Sequence, residues 1–226
     1  MFDSLNNPNK IVTIKEQVYD IIKELILSGK AKPGEWLQET KLANELNVSR
    51  SPVREALKQL VGEGILENIP NKGVFVRTLS KKDIIDIFEL RLTLEKYAIK
   101  KTIELITTEK LSVFDDIYTK LEENFINNNA SEYCKVDTEL HNMFFYLSDN
   151  MVAYKVNKNT FSMMQPFRII SLRGEQRFKE SLIEHKGIID GIKERNFEKA
   201  WGFNKTHLTL AKNEILKYIK EQENNK

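Results

Sequence analysis

The sequence carries three histidines, His141, His185 and His207. Asp137 precedes His141 by four residues, so on a helix the two side chains leave one face. That face also carries Tyr133, Leu140 and Phe144 and is expected to turn inward. His185 shares a stripe with Ile188, Ile189 and Ile192, and His207 shares one with Phe203, Leu210 and Ala211. Four donors on three helices would then point into one interior. Imidazole nitrogens with one carboxylate oxygen suit a borderline divalent ion, one per chain, with Zn or Ni ahead of Mn in affinity order. Taken singly, each histidine also reads as a core or rim residue satisfied by a neighbour.

Arg91 falls among Ile84, Ile87, Phe88 and Leu94. A buried cation there needs a partner. Glu95, one helical turn on, is one candidate, and a carboxylate ligand entering the interior is the other. Gln165, Arg168 and Arg173 are weaker candidates for the same interior, with solvent exposure as the competing reading. Met163, Met164, Trp201 and Cys134 read as core.

A third group lies near the N-terminus. Arg50, Arg54 and Lys58 recur every four residues, while Val53, Leu57, Leu60 and Val61 form a separate apolar stripe. Such a helix is held on one side and presents three cations on the other. It fits a DNA major groove, where arginine bonds guanine O6 and N7 bidentately. A solvated basic face is the alternative. Ser49 and Ser51 flank the helix start, and Lys72 beside Gly73 would top a hairpin that reaches phosphates or the minor groove. The position of the cations carries the DNA reading, because residues 1–78 hold 11 Lys/Arg against 10 Asp/Glu and the whole chain is only +2.

The elements that position these groups are legible in outline. Thr13 and Glu16 have capping-box spacing, and the helix they open should end at Ser28-Gly29. A turn at Lys32-Pro33-Gly34, a short helix over 39–46 and a tight connection at Asn47-Val48-Ser49 follow. The next helix starts at the serines, with Pro52 in its first turn, and ends near Gly62–Gly64. Runs 65–69 and 74–78 then flank Pro70–Gly73 as a hairpin. From Ser80, paired with Asp83 as a second cap, the pattern changes to long amphipathic helices over 80–106, 108–127, 130–148, 151–172, 178–195 and 197–222.

The expected fold is therefore mainly α. A winged helix-turn-helix of three helices and a β-hairpin wing spans 10–78, and a six-helix antiparallel bundle spans 80–222. A chain of 226 residues accommodates both. Met1–Lys10 reads as a frayed arm. The single cysteine, Cys134, excludes an intrachain disulfide framework and fits a reducing cytoplasm. No apolar run approaches the roughly 20 residues that span a bilayer, so no membrane partner is expected.

The run Pro33-Gly34-x-x-Leu37-x-Glu39-x-x-Leu42-Ala43-x-x-Leu46-x-Val48-Ser49-Arg50-x-Pro52-Val53-Arg54-Glu55-Ala56-Leu57, continued by Leu60, Glu63-Gly64 and Gly73-Val74-Phe75-Val76, closely resembles the N-terminal domain of GntR-family regulators. The resemblance implies that Arg50 and Arg54 contact DNA with help from the wing tip. Some members of the fatty-acid-responsive branch place an arginine where this chain has Thr40, so their operator sequence does not carry over. Asp137-x-x-x-His141, His185 and His207 match, in order and spacing, the metal ligands of the FCD effector domain of the FadR branch. Arg91-Leu92-x-Leu94-Glu95 resembles that domain's opening helix, where the arginine lies at the effector cavity. Six helices look like the shorter, VanR-like version.

The function these readings imply is a ligand-responsive transcriptional regulator, a repressor released by a small carboxylic acid. A homodimer on a palindromic operator is expected, since two-fold proteins match two-fold sites. A metallohydrolase is the competing class, but no His-Glu-x-x-His motif is present and no carboxylate base is evident beside a ligand. The chain is therefore expected not to be an enzyme. A purely structural metal module is the third reading.

Overall fold

A computed structural model of the chain describes residues 12–224. The arm Met1–Lys10 and the expected start of the first domain lie outside the described residues. Helix α1 (Ile14–Leu27) opens on the Thr13–Glu16 capping box and closes at Ser28, with Gly29 beyond it at φ 71°. The short α2 (Glu39–Glu45) and α3 (Arg50–Gly62) follow, with Ser49 as the N-cap of α3. Strands β1 (Leu66–Ile69) and β2 (Gly73–Val76) pair antiparallel, with Leu66 opposite Val76. Trp36 adds an isolated bridge to Phe75, which ties the wing to the segment before α2. Val18, Ile22, Val53, Leu57, Leu60 and Val76 form one core under these elements.

Six α-helices follow among the described residues: α4 (Lys81–Leu105), α5 (Ser112–Ile126), α6 (Ala130–Leu147), α7 (Met151–Met164), α8 (Glu175–Lys193) and α9 (Phe197–Asn224). The Ser80–Asp83 box caps α4 as expected. Breaks fall between the expected spans at 128–129, 149–150, 173–174 and 196, and the chain turns through positive φ at Asn128, Asp149 and Gly174.

Three spans depart from the sequence reading. The expected helix over 108–127 starts as a 3-10 turn, Thr108–Lys110, and becomes α5 only at Ser112. The span 151–172 is not continuous, because α7 ends at Met164 and two 3-10 turns, Gln165–Phe167 and Ile169–Leu172, replace its last part. Pro166 lies at the break, where its ring and missing N–H cannot continue an α-helix. The following helix begins at Glu175 and not at residue 178.

Helices α8 and α9 approach unusually closely. A Cβ on Gly191 would stand 2.4 Å from the Ala200 backbone nitrogen, and one on Gly187 would stand 2.4 Å from the Phe203 ring. Phe203 therefore lies over Gly187, 36% exposed, and the inward stripe of α9 is Asn204, His207, Leu208 and Ala211. The expected stripe was off by a few tens of degrees: Phe203 and Leu210 flank it. This contact sets the distance between the two helices that carry His185 and His207.

Candidate metal centre and nucleic-acid interface

The bundle brings Asp137, His141, His185 and His207 together, all buried, with one ligand atom from each lying within 4.8 Å of the others. Helix α6 supplies Asp137 and His141 from one face, α8 supplies His185 and α9 supplies His207. Asp137 Oδ1 lies 3.1 Å from His141 Nε2, 2.9 Å from His185 Nε2 and 3.8 Å from His207 Nε2.

The far nitrogen of each ring is held by another side chain. His141 Nδ1 donates to Glu95 Oε2 at 2.7 Å, and His207 Nδ1 donates to Glu184 Oε2 at 3.0 Å. His185 Nδ1 is 2.8 Å from the Tyr133 hydroxyl, which in turn donates to Ser181. Partners on Nδ1 fix the tautomer and leave the Nε2 lone pairs facing the centre. Burial, then the like charge of the neighbouring histidine, pushes His185 and His207 well below the ordinary imidazole value. Both rings are thus neutral at neutral pH, the form in which an imidazole can bind a metal. Asp137 Oδ1, His141 Nε2 and His185 Nε2 are buried with no hydrogen-bond partner. Buried polar atoms left unpaired are costly, and three aimed at one point fit a divalent ion.

The acid and base groups around the site are spoken for. Glu95 accepts from Arg91 Nε at 3.0 Å and from Asn204 at 3.1 Å. Burial alone would raise its carboxyl, but facing His141 and Arg91 it is held well below the carboxylate range. Glu184 takes both arms of Arg177, at 3.1 and 2.9 Å. Arg91 therefore makes the internal ion pair with Glu95, yet its Nη2 is buried without a partner.

Arg168 is the largest revision to the site. It is 5% exposed and its guanidinium pairs with Asp137 Oδ2. Both Arg91 and Arg168 pack on the Phe161 ring, at 4.2 and 5.0 Å. Gln165 is buried as well, whereas Arg173 is exposed and pairs with Glu221. Glu184, Arg177 and Asn204 went unread in the sequence. The one available signal was the seven-residue interval of Arg177 and Glu184, which puts them on one helix face.

On the N-terminal side, Arg50, Arg54 and Lys58 are exposed on α3, and Val53, Ala56, Leu57 and Leu60 are buried beneath them. Ser49 and Ser51 are exposed at the start of the helix. Lys72 is exposed at the wing tip beside Asn71 and Gly73, which sit at φ 62° and 109°. Only glycine tolerates position 73, because a Cβ there would lie 2.7 Å from Trp36 Nε1.

Residues 14–76 match the gntR family of bacterial regulatory proteins, and residues 86–210 match the FCD domain. The chain is a GntR-family regulator with an FCD domain. The uncharacterized HTH-type transcriptional regulator YdhC of Bacillus subtilis is 29% identical over 91% of this chain and 92% of its own length. The Nta operon transcriptional regulator of Aminobacter aminovorans is 30% identical over 84% of this chain and 88% of its own. The gluconate operon transcriptional repressor of B. subtilis is 29% identical over 73% and 67%. The Escherichia coli McbR/YncC structure shares the fold, with TM-score 0.77 at 20% identity, covering 92% of this chain and all of that one. The GntR domain makes this a DNA-binding transcriptional regulator, and the FCD domain is its ligand-binding part. Among the described residues no helix is long and apolar enough to cross a membrane.

Proposed function

We propose that this GntR-family protein is a homodimeric repressor, not an enzyme, that acts in the cytoplasm. Its α3 helix, through Arg50, Arg54 and Lys58 with Ser49 and Ser51, and its wing, through Lys72 and Gly73, bind a palindromic operator. A small carboxylic acid bound beside one divalent ion in the bundle releases it. Asp137, His141, His185 and His207 hold the ion, with Zn or Ni favoured over Mn by the nitrogen-rich donor set. When bound, the ion supplies a Lewis-acidic cation for carboxylate oxygens.

The observation that carries this reading is the charge of the interior. Among the described residues the buried formal charges are Arg91, Arg168 and Arg177 against Glu95, Asp137 and Glu184. Three cations balance three anions, and His185 and His207 are neutral. A divalent ion then leaves the interior net positive, a costly state without an anion. The unpartnered Nη2 of Arg91 is a donor for that anion. The gluconate operon transcriptional repressor among this chain's relatives supports repression as the mode of action. Four protein donors would by count also satisfy a closed structural zinc site, but such a site gives no role to that free donor.

The ligand interior also has a route to DNA. Helix α6 carries Asp137 and His141, and from the same helix Ser131 and Lys135 reach Glu24 of α1 at 2.8 and 2.6 Å. A ligand that favours one placement of α6 would bias α1, and α1 packs on α3. Titrating organic and sugar acids into a complex of the protein with operator DNA tests the reading. Some acid should release the wild-type protein, with operator affinity falling roughly 5- to 150-fold. Arg91→Ala should keep DNA binding and lose the response, and an undiminished response would remove Arg91 from the mechanism.

A further inference from the structure

The arginines of α3 are not free side chains. Glu39, the first residue of α2, is half-buried and holds both of them with one carboxylate. Arg54 donates Nε to its Oε2 at 3.0 Å and Nη2 to its Oε1 at 2.8 Å. Arg50 donates Nε to the same Oε1 at 3.0 Å. Lys58 is engaged differently, with Glu55 of its own helix.

The edge that Glu39 occupies matters. A guanidinium presents a side-on pair, Nε and Nη2, and an end-on pair, Nη1 and Nη2, each able to make two parallel bonds. Glu39 takes the side-on pair of Arg54. The end-on pair, Nη1 and the second N–H of Nη2, is not taken by Glu39 and is able to bond guanine O6 and N7 from a major-groove helix. An arginine already held in place surrenders less rotamer freedom when it docks on a base. It is also less able to swing to a phosphate when the base is wrong. At the same time Glu39 places a negative charge beside the groove, where backbone phosphates repel it whatever the sequence.

We propose that Glu39 is a specificity-determining positioning residue that splints Arg50 and Arg54, raising discrimination between correct and incorrect base pairs while lowering affinity for DNA in general. This rests on the assignment of α3 as the base-reading helix. The two effects have opposite signs, which separates splinting from a role in folding alone.

The test uses the full-length protein and a duplex that the wild type selects from a random-sequence pool. Single-base-pair variants of that duplex and a scrambled duplex of equal length complete the set. Wild type, Glu39→Gln and Arg54→Ala are titrated against each over a range of salt. Glu39→Gln keeps the shape of the side chain and removes its charge. It should cut the matched-to-mismatched affinity ratio roughly threefold to tenfold, at the base pair where Arg54→Ala also relaxes it. Affinity for the scrambled duplex should rise, with a steeper salt dependence.

An unchanged ratio in Glu39→Gln beside a reduced one in Arg54→Ala would overturn the splint and leave the α3 assignment standing. A proportional fall on every duplex would make Glu39 a folding contact and overturn it too. A rise on the selected duplex equal to or above the rise on the scrambled one would show Glu39 competing for the arginines, again against the proposal. An unchanged ratio in Arg54→Ala would remove the α3 assignment itself.

Discussion

Each histidine of the candidate centre is gripped at Nδ1, and the three grips are chemically unequal. Two are carboxylates and one is the Tyr133 hydroxyl. Burial pushes the Tyr133 phenol above its ordinary value, so it stays protonated and donates a hydrogen bond to Ser181 while accepting one from His185. Tyr133→Phe deletes that acceptor and keeps the ring, which packs edge-on against Phe178 at 4.8 Å. Loss of such an orienting partner costs about 10-fold or more in metal affinity. Tyr133→Phe should therefore weaken Zn binding by that factor in a chelator competition, with the metal-free melting temperature shifted only slightly. Undiminished Zn affinity would mean that packing alone orients His185.

Between elements, the α8–α9 contact decides whether His185 and His207 share a site. Gly187 and Gly191 are four residues apart on one face of α8, and their ring and backbone neighbours on α9 differ in how far they can yield. Phe203 is partly exposed and its ring can swing outward. Ala200 meets Gly191 with backbone nitrogen and Cα, which move only if the helices part. Gly191→Ala should therefore cost about 1–3 kcal/mol by overpacking, and it should weaken metal binding as the rings, now 4.4 Å between centroids, separate. Gly187→Ala should cost clearly less. Thermal unfolding and Zn titration of the two variants check the order, and equal effects would contradict this account of the contact.

For the whole molecule, a palindromic operator requires a second copy and hence a self-complementary face. Helices α4 and α7 lie side by side, linked by the Asn150–Tyr97 hydrogen bond at 3.1 Å. They leave Leu90, Tyr97, Met151, Val152 and Val156 exposed. Scattered apolar side chains are ordinary on a surface, but a grouped set on two adjoining helices is the expected dimer face. Val152, at 73% exposure, is not needed for the monomer's core. Val152→Asp should thus yield a folded monomer in sedimentation, with operator affinity reduced and the metal content intact. A variant that remains dimeric would place the interface elsewhere.

The sequence by itself determined the order of elements, both capping boxes, the breaks between helices other than the one at Pro166, and the inward direction of Asp137 and the three histidines. These follow from local rules: side-chain caps, positive-φ turns and a 3.6-residue period. A helical period states which way a residue faces, but not which residue of another helix it meets. Tertiary structure alone therefore paired Glu184 with His207 and Tyr133 with His185, and joined Glu39 to two arginines eleven and fifteen positions away. It also decided Arg168, because the period loses its meaning once Pro166 ends the helix, and the 3-10 turns beyond it direct that guanidinium to Asp137. The spacing of α8 from α9 had a local sign in the Gly187–Gly191 interval. Its use as the gauge for His185 and His207 existed only once α9 had packed.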